Sequence, residues 1–293
     1  MKIFGYITLL LSLGLFLNPG RSYAQIVSGN AYLIGDYLEI AVHGEGGHEG
    51  TADWPGHHSR GGSPDVPFGF VANPTLDGWI DYDGDFFTAG TPENGFGLEI
   101  NGVNYSNNAW DASTSTPFLN EIPTAPGGEI THTIDGDCII VEWNGIVAGV
   151  AIKVLYRLKQ YSLFYTTEIT LTNTTGSTLN DLYYYRNVDP DNNESIGGTF
   201  NTTNEIVSQT SPECIKAFVS ATQAIPWDSY VGIGALGNKF KVSHGGFSNR
   251  DASDIWNGTG GLTGVEGDVS TGDEAISLAY KTDLAAGASE TFS

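Results

Sequence analysis

Residues 167–193 read TEITLTNTTGSTLNDLYYYRNVDPDNN, and the reading of the fold turns on them. Leu163, Tyr165, Thr167, Ile169 and Leu171 share one face, while Phe164, Thr166, Glu168, Thr170 and Thr172 share the other. That period of two marks a pleated strand with one dry face and one mostly wet face. Asn173-Thr174-Thr175-Gly176-Ser177 supplies turn chemistry, because the Asn173 side chain can bond the backbone just ahead of it. Leu182-Tyr183-Tyr184-Tyr185 resumes as an aromatic strand, and its end at Val188 runs into Asp189-Pro190-Asp191-Asn192-Asn193-Glu194. Pro190 cannot donate to a strand ladder, so pairing stops where oxygen ligands crowd together. The expectation is a hairpin that presents an acidic loop and is flanked by the remaining strands.

Working outward, residues 129–134, 138–143 and 146–158 alternate as three further strands, with Asn144-Gly145 read as the tight turn between the last two. Residues 31–42 read as a strand or strand pair, and 98–103 as a strand and tight turn. Residues 215–222, 229–235, 239–242 and 275–280 are later strands separated by Gly-, Asn- and Asp-rich connections. Residues 43–63 carry many Gly and His with no apolar period, and residues 106–128 are rich in Ser, Thr, Asn and Pro, so both read as long loops. No amphipathic helix stands out. Many short strands between turn signals predict an all-β fold, here a large antiparallel two-sheet β-sandwich with long Gly/Asp/Asn-rich loops.

The ends and the charge bound what such a domain does. Lys2, the apolar run 7–17 and the small residues up to Ala24 have the layout of a cleavable secretory signal, too short to span a bilayer. The domain is then expected over residues 25–293. The last residues, Glu290-Thr291-Phe292-Ser293, stop inside what reads as a strand, so the chain is expected either to be the front of a longer protein or to lack its last strand. The 12 basic and 34 acidic residues give a formal charge of −22. Removal of Lys2 and Arg21 with the signal makes it −24. Nucleic acid and anionic lipid, which are held by excess Lys and Arg, are disfavoured as partners. With 14 Tyr, 14 Phe and 6 Trp, the chain nevertheless has the means to bury a core.

Two loops have cation-binding spacing. Asp81, Asp83 and Asp85 alternate around Gly84, and Asp189, Asp191 and Asn193 repeat the alternation after the aromatic strand. Alternate oxygens on a curled backbone suit Ca²⁺, which takes six to eight oxygen ligands; the plain alternative is a pair of acidic turns. Cys138 and Cys214, the only cysteines, can form one bridge in an exported protein or can be two unrelated thiols. His43, His48, His57 and His58, with Glu45, Glu49 and Asp53, match no zinc spacing and read as a polar loop. Trp54, Trp79, Trp110, Trp227 and Trp256 sit near turns, where they can stack on sugar rings or simply pack. No Gly-x-Ser-x-Gly elbow and no phosphate-binding glycine loop is present.

At NPTLDGW (residues 73–79), DYDGDFFTAGTPENGFGLEING (81–102), YYYRNVDPDNN (183–193) and GGFSNRD (245–251), the chain resembles a β-rich module found near the start of long secreted proteins of Bacteroidetes. The resemblance implies a surface, adhesin-like protein with further domains downstream and export by a type IX secretion system. Around YYYRNVDPDNN the chain is also similar to supersandwich domains related to carbohydrate-active proteins. The functional expectation is a non-catalytic, secreted or cell-surface module, stabilised by Ca²⁺, whose partners are surface glycans or its own downstream domains. The alternative is a carbohydrate-binding or carbohydrate-processing domain.

Overall fold

The computed structural model describes residues 23–47, 69–76, 84–87, 93–109, 120–192, 198–224 and 228–293. In chain order the first strands are β1 (Tyr23–Val27), β2 (Asn30–Ile34), β3 (Leu38–Val42), β4 (Phe70–Ala72), β5 (Asn94–Ile100) and β6 (Val103–Asn108). The middle of the chain gives β7 (Thr131–Asp135), β8 (Cys138–Val147), β9 (Val150–Lys159), β10 (Tyr165–Asn173) and β11 (Leu179–Val188). Then come β12 (Thr202–Ser208), β13 (Lys216–Gln223), β14 (Ser229–Leu236) and β15 (Phe240–Gly245). A short helix α1 (Ala252–Asn257) precedes β16 (Leu262–Thr263), β17 (Val269–Gly272), β18 (Ala275–Leu284) and β19 (Ser289–Phe292). No helix among the described residues is long and apolar enough to cross a membrane.

The all-β reading holds, but the two-sheet sandwich does not. The strands form four small sheets in a four-blade, propeller-like ring. The first is the meander β1-β2-β3-β4, and the second has the order β19-β10-β9-β8-β7. The third has the order β16-β15-β18-β11-β5-β6, and the fourth β14-β13-β12-β17. Alternation within a strand reveals which face is dry but not which strand lies alongside, and that is where the expectation failed.

The predicted central hairpin shows the same failure most clearly. β10 and β11 are consecutive, yet they do not pair: β10 lies between β9 and β19, and β11 between β5 and β18. The turn between them hands the chain from the second sheet to the third. Asn173 holds that turn, as its Oδ1 accepts from Thr175 N at 2.9 Å and its Nδ2 donates to Ser177 O and to Leu284 O at 2.8 and 2.9 Å.

The Asn144-Gly145 turn is likewise displaced. β8 continues through it to Val147, and the chain reverses at Ala148-Gly149, both with positive φ, so that Val147 faces Val150. The cause is Trp143, wholly buried, whose indole lies across Gly145; a Cβ there would meet Cη2 at 2.2 Å. Gly145 serves as the flat seat of an aromatic ring rather than as a corner.

One apolar core runs through all four sheets, from Leu33 and Ile40 of the first to Val219 and Val231 of the fourth. Aromatic contacts join neighbouring sheets, with Phe70 against Tyr165, Phe96 against Trp143, and Phe292 stacked on Tyr280 at 3.7 Å. The helix was not anticipated. Asp251 caps it by accepting from Asp254 N, Gly258 closes it in the left-handed conformation, and Ala252 and Ile255 bury against Tyr183 and Tyr185.

Candidate metal centre

The register of the third sheet builds the site. Val188, the last residue of β11, lies opposite Asn94 of β5 on one side and Ile276 of β18 on the other. The chain leaving β11 therefore emerges beside the residues that lead into β18. Asp189 N donates to Glu93 O at 2.7 Å and Asn192 N to Pro190 O at 2.7 Å, which tightens the loop onto the sheet end. Asp189, Asp191 and Asp273 meet there, and one carboxylate oxygen from each lies within 4.8 Å of the others. Asp189 and Asp191 are buried, whereas Asp273 is exposed. Three carboxylates in this arrangement can hold a metal ion.

The electrostatics of Asp189 are the unusual feature. Both its oxygens are buried, and among the described residues no donor other than the neighbouring Asp191 carboxyl reaches them. Burial holds its carboxyl well above the usual carboxylate range, and the neighbouring Asp191 and Asp273 push it in the same direction. Burial also raises Asp273. Beside them the Asn192 side chain is wholly buried, with neither its Oδ1 nor its Nδ2 hydrogen-bonded among the described residues.

Glu93, only one strand away, shows what a satisfied buried carboxylate looks like. Its Oε1 accepts from Arg250 Nε at 2.8 Å, Asn108 Nδ2 at 2.9 Å and Asn187 Nδ2 at 3.0 Å. Its Oε2 accepts from Arg250 Nη2 at 2.6 Å. Arg250 is thus already engaged.

The two acidic loops of the sequence meet at Gly84 and Asn192. Gly84, with φ +94°, presses so closely on the second loop that a Cβ would fall 1.9 Å from Asn192 O. Asp85 turns to other work. Its Oδ2 accepts from Gly69 N at 2.7 Å, and its Oδ1 from Phe70 N and Phe87 N at 3.1 and 2.8 Å, pinning β4. Asp85 is not in the acidic group, and Asp81, Asp83 and Asn193 lie outside the described residues. Asp273 went unnoticed in the sequence, because Thr271-Gly272-Asp273-Glu274 reads as an ordinary connection; only the pairing of β18 with β11 brings it in.

The remaining expectations are placed as follows. Of the two alternatives for Cys138 and Cys214, the structure has free thiols: Cys138 opens β8 in the second sheet, while Cys214 precedes β13 in the fourth. Their sulfurs lie 3.7 Å from Ile139 O and 3.6 Å from Lys216 O. His43 Nδ1 lies 3.6 Å from Glu45 Oε2, and burial lowers the His43 pKa while raising that of Glu45. His48, His57, His58, Glu49, Asp53, Trp54, Trp79, Trp110 and Trp227 lie outside the described residues. Trp256 sits on the helix with Lys241 Nζ 4.9 Å from its ring centre and Tyr183 at its side.

No protein-family model matches this chain, and no curated protein matches it. Among solved structures, a polysaccharide lyase is similar over 84% of this chain, at 12% identity and a TM-score of 0.23. The similarity covers 32% of the lyase, so this chain spans about a third of that protein's length.

Proposed function

We propose that this chain is a non-catalytic, exported β-rich module whose fold is stabilised by Ca²⁺ held at Asp189, Asp191 and Asp273. One observation carries the reading: the buried Asp189 carboxylate has acids for neighbours, and among the described residues no donor other than the Asp191 carboxyl reaches it. A buried charge of this kind is costly unless neutralised by a proton or a cation. An all-oxygen ligand set selects a hard cation over zinc, which favours His and Cys. Ca²⁺ also accepts an irregular shell completed by water at the exposed Asp273 side, whereas Mg²⁺ demands near-ideal octahedral geometry. The secretory-type leader and the acidic composition support a place outside the cell, where Ca²⁺ is abundant. Membership of a longer adhesin-like surface protein, with downstream domains or glycans as partners, rests on the sequence resemblance.

The test is a melting curve on protein first stripped of metal. Free Ca²⁺ at a hundredfold excess over Kd is expected to add about 2.7 kcal/mol, visible as a higher Tm that a chelator reverses. A Tm indifferent to both would overturn the Ca²⁺ reading. Turnover of any polysaccharide in a reducing-sugar assay would overturn the non-catalytic one.

A further inference from the structure

Asp273 is the exposed third ligand and sits in a two-residue link between sheets. Gly272 before it ends β17, paired with Thr202 of β12 in the fourth sheet, and Ala275 after the link opens β18, paired with Gly245 of β15 in the third. The remaining linker residue, Glu274, is tied down from both sheets. His244 Nδ1 of β15 lies 3.0 Å from its Oε2, and Asn204 Nδ2 of β12 donates to the same oxygen at 3.4 Å. Ser270 Oγ of β17 donates to its Oε1 at 2.7 Å. His244 is itself buried, and its Nε2 lies 3.3 Å from Asp268 Oδ2 without a hydrogen bond to it.

From this geometry we infer that Glu274, locked by His244, Ser270 and Asn204, is the positioning residue that holds Asp273 against Asp189 and Asp191 and so sets the affinity of the cation site. The inference rests on the Ca²⁺ reading above. Groups that orient a ligand without touching the metal commonly govern affinity, because a free carboxylate must lose its own mobility on binding. Here the link is short enough that freeing Glu274 loosens its neighbour directly. It also means that the third and fourth sheets are joined through the residue next to a ligand, so an occupied site secures their junction.

The experiment is calorimetric titration of Ca²⁺ into the metal-free full chain, read beside the Tm of each metal-free variant. Glu274→Ala is expected to weaken Kd by about 10- to 100-fold, the usual cost of losing such an orienting group. Glu274→Gln, which keeps an oxygen acceptor, should recover part of that loss. Ser270→Ala removes one donor at a half-exposed position and should raise Kd several-fold with a metal-free Tm close to wild type. A purely structural Glu274 would lower the metal-free Tm and leave Kd unchanged, and that pattern across these variants would overturn the inference. Wild-type protein that takes up no Ca²⁺ would overturn the site itself, an outcome visible before any variant is made.

Discussion

Arg250 grips Glu93 at two points, Nε to Oε1 at 2.8 Å and Nη2 to Oε2 at 2.6 Å, and fastens the segment before α1 to the start of β5. Glu93 is 1% exposed, so its charge depends on that fork and on the two asparagine amides. Arg250→Ala should cost about 3–5 kcal/mol in urea unfolding, since it leaves a buried carboxylate without its cation. Arg250→Lys should recover only part, because an ammonium cannot reproduce the planar two-point contact.

Asp189→Asn should raise the stability of the metal-free protein and abolish its Ca²⁺ response. The direction follows from the raised native pKa, caused first by burial and then by Asp191 and Asp273. Well below the ordinary carboxylate pKa both states hold the proton, and the group is neutral to stability. As pH climbs past that value the unfolded chain releases the proton while the native state keeps it, so stability falls with rising pH towards the raised native value. Melting metal-free protein at about pH 5 and pH 8 should show this decline in wild type and a smaller one in Asp189→Asn. Ca²⁺, which competes with the proton, should flatten the wild-type slope.

Two glycines give a controlled comparison. Gly84→Ala puts a methyl group 1.9 Å from Asn192 O at a φ of +94°, so it should both destabilise the fold and weaken the Ca²⁺ response by displacing the second loop. Gly102→Ala also meets a positive φ, but nothing lies within 4 Å, so its cost should stay near about 1 kcal/mol. Equal effects on Ca²⁺ affinity would show that the Gly84 contact does not shape the site.

Both thiols should react with a maleimide in denatured protein, and non-reduced digests should contain no peptide linking Cys138 to Cys214. In native protein Cys138 should react sluggishly, since burial pushes its thiol pKa up and thus lowers the thiolate fraction. A linked peptide would contradict the separation of the two sheets.

Strand character was legible over much of this chain, although β1, β12 and β17 went unread, and strand partnership was not legible. The alternation over Tyr165–Asn173 identifies β10, and the Asn101-Gly102 pair lies where β5 turns into β6. Yet β10 and β11, adjacent and joined by a good turn, separate into different sheets because β19 and β18 compete for their edges. The site was half legible for the same reason. Asp189 and Asp191 are two residues apart and announce themselves, whereas Asp273 reaches them only through the register of β18 against β11. Trp143 displaced a turn that dipeptide chemistry alone would place at Asn144-Gly145, so a packing event overrode a local preference.

The composition of the third sheet bears on how the molecule comes to exist at all. Its strands β5, β6, β11, β15, β16 and β18 are drawn from well-separated parts of the chain, while β1 to β4 and β7 to β10 are local meanders. Local hairpins can close while synthesis continues, but a sheet whose central strand β18 comes late must wait for it, and such non-local closure is slow. A chain built this way has a long interval in which its first hairpins stand without the sheet they lean on. During that interval apolar faces and unpaired strand edges stand uncovered, which is the state in which a chain of this kind is most prone to aggregate.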